Sequence, residues 1–354
     1  MYESQGESIW QAGGRAGGSH QGAVFRGSNR SGATLLGRLL AEVPGFVAVG
    51  ELRYIWEHSL VENRRCGCGL EFRSCPFWTA VGDHAYGGWT SLDINQVLSL
   101  HRSVARHRYL PLLLVPGLWP PFQRRLAAYV AILERLYAAV EAVAGSRVIV
   151  DWTRDLSFAL LLRQVPTLDV RIAHLVRDSR AVAFSWTKKM RDPAAIDSQT
   201  FFPTYHPLRT ATRWTAYNLL FDVLGKSGTP RLLMRYEDSV NAPQHAIEEM
   251  MILMGDTPPT QFPFLDGTDV LLQAHHTMAG NRMRLMTGRL PLRVDNEWRT
   301  QMPRRDRFLV GLVTWPVLMR YGYLARSAKA RQATVKQLAR ARAVAKSGRR
   351  PAQP

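Results

Sequence analysis

Residues 27–40 read GSNRSGATLLGRLL and follow a short apolar run, GAVFRG at 22–27. An apolar strand that enters a glycine-containing turn and continues into a helix at 33–43 presents backbone N–H groups and a helix dipole's positive end to an anion. Gly27 and Gly32 let the backbone bend sharply and approach a ligand closely. Ser31 and Thr34 add hydroxyl donors. Phosphate-binding loops of nucleotide kinases carry a lysine where this chain has Ala33. The loop therefore keeps its cradle and lacks the group that reaches a terminal phosphate. Arg30 sits inside the turn instead, where a guanidinium forks onto two oxygens of an anion.

The rest of the chain extends the same pattern. Short apolar runs at 46–50, 147–151 (RVIVD), 170–176 (VRIAHLV) and 231–236 (RLLMRY) read as strands. Helical patterns follow at 155–164, 179–190 and 241–254, with one more at 207–225 before the last strand. Strands alternating with helices predict an α/β fold whose parallel sheet is covered on both faces and resembles that of P-loop NTPases. Residues 87–146 interrupt the alternation. They read as a mostly helical insertion with a proline and aromatic break at 111–122, laid over the sheet's C-terminal edge on the acceptor side, where such folds bind ligands. VIVD (148–151) is similar to the acid-terminated strand of a Mg²⁺ site, although no other feature clearly builds one.

Bulk properties narrow the function classes. The chain has 354 residues, 46% hydrophobic and 21% charged, in the range of a globular protein. Its net charge is +18, and half of that lies in residues 325–354, which hold nine Lys/Arg and no acid. The balance predicts anionic ligands or surfaces. Residues 1–20 read as a disordered leader without an apolar signal core. The longest apolar run, 308–319, is too short to span a bilayer. Three cysteines make an odd count, which argues against a secreted disulfide scaffold. The expected location is the cytoplasm, with peripheral contact between the basic tail and an anionic membrane as a further option and no specific nucleic acid as partner.

A donor whose transferable group carries one negative charge needs less neutralisation than a phosphoryl group. A sulfuryl group meets that description. RSGATLL (30–36) after a short strand resembles the 5′-phosphosulfate loop of sulfotransferases that use 3′-phosphoadenosine 5′-phosphosulfate (PAPS). VRDSRAVAFSW (176–186) is similar to that family's 3′-phosphate motif, with Arg177 at the strand end and Ser185 eight residues on; Asp178 would cap the helix. HTMAGNRMR (276–284) resembles the loop that closes over the nucleotide, with Arg282 where the family often has proline. MRYEDSV (234–240) and MRYGYL (319–324) resemble a strand end and the end of the last core helix. Glu237 and Asp238 are expected to be structural, pairing with a buried basic group and capping the next helix.

The resemblance spans residues 21–324 as one sulfotransferase domain. It implies that Gly27, Ser28, Asn29, Arg30, Ser31, Gly32, Ala33 and Thr34 hold the 5′-phosphosulfate. Arg177, Ser185, Gly280, Asn281 and Arg284 would hold the nucleotide's other end. PAPS is the implied co-substrate, with no metal required. The acceptor would be a small molecule, lipid or carbohydrate bearing a hydroxyl.

In-line transfer to a hydroxyl needs a base and positive charge near the transferring group. In some branches of the family the base looks like a glutamate just after a glycine beyond the second strand, which here is Glu51 in VGELR (49–53). The plain alternative is a salt-bridged carboxylate, with Arg53 as partner. DWTRD (151–155) resembles the family's D-S-S-K stretch, with Arg154 in place of lysine. Arginine keeps the charge but cannot donate a proton at neutral pH, so Arg154 and Arg30 would act by electrostatics.

CGCGLEFRSCPFW (66–78) is similar to a cysteine stretch in bacterial sulfotransferases. Cys66, Cys68 and Cys75 are expected as structural thiols or one local disulfide. A zinc site needs a fourth ligand, and His58 and His84 are the nearest histidines. LPLLLVPGLWPPF (110–122) is either core or the wall of an apolar acceptor groove. Two rival functions stay open: a nucleotide kinase or NTPase with a lysine-less loop, and a catalytically silent anion- or membrane-binding protein. Acceptor identity and oligomeric state are not encoded in these features.

Overall fold

The computed structural model describes residues 20–26, 30–115, 117–192, 194–195, 200–224 and 229–324, with the backbone alone for 20–26 and 224. Residues 1–19 of the leader read as 1–20, loop residues Gly27, Ser28 and Asn29, and the basic tail 325–354 lie outside the described residues, whereas His20 already belongs to the first strand.

Each apolar run read as a strand is one: β1 (His20–Arg26), β2 (Phe46–Gly50), β3 (Val148–Asp151), β4 (Leu168–Val176) and β5 (Arg231–Arg235). They form a single sheet in the order β2-β3-β1-β4-β5. Every neighbouring pair is parallel, with registers such as Val24 opposite Asp151 and Phe25 opposite Ala173. Successive strand side chains point to opposite faces. In β3, Ile149 accordingly joins one hydrophobic core while Val148 and Val150 join the other. Both faces need cover, which is why the middles of these strands are mostly apolar.

One face is covered by α1 (Ala33–Ala41), whose leucines 35, 36, 39 and 40 are all buried. The opposite face carries the helices between β2 and β3: α2 (Pro76–Tyr86), α3 (Ile94–Val104), α4 (Leu110–Leu114) and α5 (Pro120–Ala144). This helical layer is longer than the sequence reading of 87–146. It begins directly after β2, with a 3₁₀ turn at Leu52–Tyr54 and a π-helix at Ile55–Val61. The break at 111–122 is divided in character. Leu113 and Phe122 are buried, whereas Leu114, Val115, Leu118 and Trp119 are exposed.

After β3 come α6 (Leu156–Leu162), then α7 (Ser179–Thr187) and α8 (Pro207–Leu224) beyond β4, then α9 (Tyr236–Asn241) and α10 (Pro243–Leu253) beyond β5. The starts of α6 and α7 are specified locally: Asp155 accepts from the Phe158 N–H and Asp178 from the Arg180 N–H. Such caps contribute about 1 kcal/mol each. Helices α11 (Trp298–Gln301) and α12 (Arg304–Arg320) close the described chain.

A second, antiparallel sheet of β6 (Leu265–Asp266), β7 (Asp269–Leu272) and β8 (Gly288–Pro291) is absent from the sequence reading. Leu272 pairs with Gly288, so residues 273–287 form a loop tied at its base. Among the described residues no helix is long and apolar enough to cross a membrane.

Candidate active site

The chain leaves β1 toward β2 on one side and β4 toward β5 on the other. Diverging connections open a crevice at the carboxyl ends of β1 and β4, the usual ligand position in open parallel sheets. Arg30 follows β1 and Arg177 follows β4. The two meet directly: Arg177 Nη1 donates to the Arg30 carbonyl at 3.2 Å.

The turn after β1 is built for close approach. Gly32 is the N-cap of α1 with φ 97°, a region that disfavours side chains. A Cβ there would also stand 2.3 Å from the Tyr236 ring. Ala33 and Thr34 open the helix and are buried. Ser31 is fully buried, and its hydroxyl has no hydrogen-bond partner among the described residues. An unpartnered buried hydroxyl costs about 1–3 kcal/mol. Arg30 itself has φ 68° and lays its guanidinium over the rings of Trp186 (4.8 Å) and Phe202 (5.2 Å). Burial, then the charges of Arg154, Arg177 and Arg282, lower its pKa to about 10. Arg30 has no carboxylate within salt-bridge distance among the described residues. A guanidinium destabilised by burial and by three like charges marks a place where an anion would be favoured.

Arg177 is mostly buried and tied in several directions. Its Nη2 donates to the Asp295 carboxylate at 3.0 Å and carbonyl at 3.2 Å, and its guanidinium lies 4.6 Å from the Tyr236 ring centre. Its Nε has no partner among the described residues. The Asp295 carboxyl, although burial pushes it up, is held below its usual range by Arg177. Ser185 lies half-buried in the last turns of α7.

Glu51 stands at the end of β2, 4% exposed. Its partner is not Arg53. Arg154 Nη2 donates to Glu51 Oε1, while Arg53 pairs with Asp155. Burial pushes the Glu51 carboxyl above its ordinary range, against the pull of Arg154 and with a further push from Asp151. Asp151, the acid of VIVD, accepts from the Tyr137 hydroxyl and the Thr153 N–H, both at 2.6 Å. It serves as a structural acceptor.

The loop 273–287 brings these parts together. Glu51 N–H donates to the Met278 carbonyl at 2.9 Å, and Met278 N–H donates to the Val49 carbonyl at 2.8 Å. A Cβ on Gly280 would lie 2.9 Å from Trp152 Nε1, 3.5 Å from Thr34 Oγ1 and 3.7 Å from Glu51 Oε1. Gly280 is thus close to both the start of α1 and the candidate base. Trp152 Nε1 is buried without a partner among the described residues. Asn281 is half-buried and its carbonyl accepts from Arg284 N–H.

Arg284, expected to hold the nucleotide's other end, is engaged within the protein. It is 2% exposed and donates to the carbonyls of Thr277 (2.8 Å) and Arg65 (2.6 Å). Its guanidinium braces the loop from inside. Exposed Arg282 is the member of this stretch whose charge acts on Arg30. Arg38, fully buried on α1, adds a second brace with bonds to the carbonyls of Gln273, Met283 and Arg284. Glu237 pairs with the Tyr323 hydroxyl (2.6 Å) and the Asp178 N–H (3.1 Å), not with a basic group. Asp238 is exposed and lies 3.6 Å from Arg235.

The cysteines are all free. Neither His58 nor His84 joins them. His58 stacks on Tyr54, and the histidine beside the thiols is His276, from the same loop as Gly280. Sequence distance concealed that pairing, and it concealed the roles of Arg38, Trp152 and Tyr236 as well. Tyr236 could have been flagged, because it belongs to the RYED stretch.

Two clefts flank the crevice. One, of about 500 Å³ and open to solvent, is lined by Trp186, Tyr205, Arg213, Trp214 and Tyr217. The other, of about 580 Å³, is lined by Arg53, Tyr54, Trp56, His101 and Arg106 of the helical layer. Neither is walled by residues 110–122.

No protein-family model and no curated protein matches the chain. Solved structures similar to it include the following three. The sulfotransferase domain of the Synechococcus PCC 7002 olefin synthase is 18% identical, with a TM-score of 0.41, over 87% of this chain and 98% of that one. The sulfotransferase domain of the curacin biosynthetic pathway is 17% identical, with a TM-score of 0.46, over 84% and 97%. Sulfotransferase STF9 of Mycobacterium avium is 12% identical, with a TM-score of 0.41, over 86% and 77%. At low identity and along most of its length, the chain is similar to sulfotransferase domains.

Proposed function

We propose that this chain transfers the sulfuryl group of PAPS to an acceptor hydroxyl, with Glu51 as the general base, on a sheet of the P-loop type. The observation that carries the reading is the position of Gly280, whose Cβ direction comes within 4 Å of both the Thr34 hydroxyl of the anion loop and the Glu51 carboxylate. A donor group held at the start of α1 and a hydroxyl held at Glu51 would be neighbours, as in-line transfer requires.

The residues divide the work by their chemistry. Arg30, Ser31, Gly32 and Thr34 would receive the 5′-phosphosulfate through the helix start, with the Ser31 hydroxyl and the Arg30 guanidinium, neither of which has a polar side-chain partner among the described residues. Arg177, one contact away, would take the 3′-phosphate, with Ser185 on the helix that follows. Arg282 would add charge from the loop. Arg154 would favour the ionised form of Glu51 and stabilise charge developing on the sulfuryl oxygens through its guanidinium fork. A carboxyl raised by burial is better matched to a hydroxyl proton at neutral pH than an exposed one. A kinase reading finds less support. Ala33 is packed at the lysine position, and Asp151 is engaged by Tyr137 and Thr153.

Calorimetric titration with adenosine 3′,5′-bisphosphate, run beside ATP with Mg²⁺, tests the nucleotide. The bisphosphate should bind and ATP should not compete at similar concentration. Sulfate transfer from PAPS to a panel of alcohols then tests the chemistry. Glu51→Gln should bind the bisphosphate within about twofold of the parent and lose roughly 10²–10⁴ in turnover, or about 3–5.5 kcal/mol of barrier. Near-normal turnover would remove Glu51 from the role.

A further inference from the structure

We infer that Cys66, Cys68, Cys75 and His276 bind one Zn²⁺ ion and that this ion pins the 273–287 loop over the anion site. The four ligand atoms all lie within 4.8 Å of one another. Cys75 Sγ is 3.7 Å from Cys68 Sγ and 3.7 Å from Cys66 Sγ. His276 Nδ1 is 3.2 Å from Cys75 Sγ and 4.0 Å from Cys66 Sγ. A tetrahedral zinc with its usual bond lengths would set sulfurs about 3.8 Å apart and sulfur and nitrogen about 3.5 Å apart. The observed edges scatter around those values. Three thiol sulfurs and one imidazole nitrogen clustered this closely match a single tetrahedral zinc ion.

The surroundings fit a metal better than a cluster of thiols. Residues 66–70 turn tightly, with Cys66 N–H to the Leu70 carbonyl at 2.7 Å and Gly69 N–H to the Cys66 carbonyl at 2.9 Å. This brings Cys66 and Cys68 round to one side. Cys75 is the N-cap residue of α2, so its sulfur sits at the positive end of an 11-residue helix. His276 is oriented before any ion arrives. Its ring stacks on Phe77 at 4.8 Å and 8°, and its carbonyl accepts from Trp78 Nε1 at 3.0 Å.

Charge also balances. Binding Zn²⁺ would release three thiol protons and leave three thiolates, one neutral imidazole and a net charge of −1. Buried Arg284 joins the two segments that supply the ligands, through the Arg65 and Thr277 carbonyls. It has no carboxylate within salt-bridge distance among the described residues. An anionic metal centre next to it supplies the missing counter-charge.

The metal assignment stands without the proposed function. Its consequence rests on that reading, because His276 lies four residues before Gly280 in a loop that also docks Met278 onto β2. The experiment keeps the two apart. Protein purified without chelator is analysed for metals by mass spectrometry, and stripped protein is titrated with Co²⁺. One zinc per chain is expected, with the ligand-field bands of tetrahedral cobalt and a thiolate charge-transfer band. Cys68→Ser and His276→Ala should each lower zinc at least tenfold at unchanged far-ultraviolet circular dichroism. Less than one-tenth zinc per chain together with no tetrahedral cobalt spectrum overturns the site. So does full zinc content in both variants. Stripped protein should bind adenosine 3′,5′-bisphosphate at least tenfold more weakly. Equal affinity overturns the pinning role, whereas no nucleotide binding by zinc-loaded protein condemns the sulfotransfer reading and leaves the metal site standing.

Discussion

Gly50→Ala probes how the candidate base is held. Gly50 has φ 92°, and a Cβ there would stand 1.7 Å from the Met278 carbonyl oxygen and 2.5 Å from the Met278 nitrogen. Those atoms are backbone, so no side chain can swing aside. The loop must withdraw, and two hydrogen bonds go with it: Glu51 N–H to Met278 and Met278 N–H to Val49. Forcing a side chain into this backbone region costs about 1–3 kcal/mol. Each lost hydrogen bond adds about 0.5–1.5 kcal/mol. The sum is about 2–6 kcal/mol, a large share of the 5–15 kcal/mol that typically holds a domain together. Gly145→Ala is the control. Gly145 ends α5 with φ 57° and open space around its Cβ position, so it carries only the backbone term, about 1–2 kcal/mol. Urea denaturation measures both. Hydrogen exchange at the Glu51 and Met278 amides shows whether the loss is local or global. A Gly50→Ala protein within 0.5 kcal/mol of the parent, with both amides still protected, would refute the docking of the loop on β2 as what positions Glu51.

Two further outcomes follow from the charges. If Glu51 is the base, turnover rises with pH as its carboxyl loses a proton, and the acid limb of kcat/KM lies above the ordinary carboxylate range because burial raises that pKa. Arg154 lowers the same pKa, so Arg154→Met should move the limb to higher pH; an unmoved limb would mean that another group titrates. Asp295→Asn should tighten adenosine 3′,5′-bisphosphate binding by about two- to fivefold, since Asp295 competes for Arg177 from a partly exposed position where such a pair is worth about 1 kcal/mol or less. Weaker binding by calorimetry would show that Asp295 supports the ligand rather than competing with it.

The parts legible in the sequence are those whose cause is local. The strands of the parallel sheet were readable because both faces are covered, which makes VIVD apolar at successive positions. The start of α7 was readable because Asp178 caps it from one residue away. The turn after β1 announced itself through Gly32 and Ser31. Burial and long-range pairing were not readable. Arg38 looks like the polar face of α1, yet it is fully buried and bonded to three carbonyls more than 230 residues away. Arg284 was read as an anion ligand from the resemblance of HTMAGNRMR to a family loop, and its bonds to the carbonyls of Thr277 and Arg65 were not visible in that stretch. The sheet of β6, β7 and β8 escaped notice because strands of two to four residues carry too little alternation to register.

The long-range facts converge on one segment. Residues 273–287 are closed at the base by β7 and β8, braced by Arg38 and Arg284, zipped to β2 at Met278, and set beside three cysteines at His276. A loop that only covered a ligand would need one such fastening, and a cover that opens would work better with few. So many ties favour a rigid wall. Gly280 is then a place where this wall comes close to Thr34 and Glu51 together. Under the proposed function, a fixed wall at that point would set the distance between donor and base before either substrate binds, the kind of preorganisation that lowers a transfer barrier. The ordering cost is met at folding, by contacts far from the chemistry, and need not be met again in each turnover.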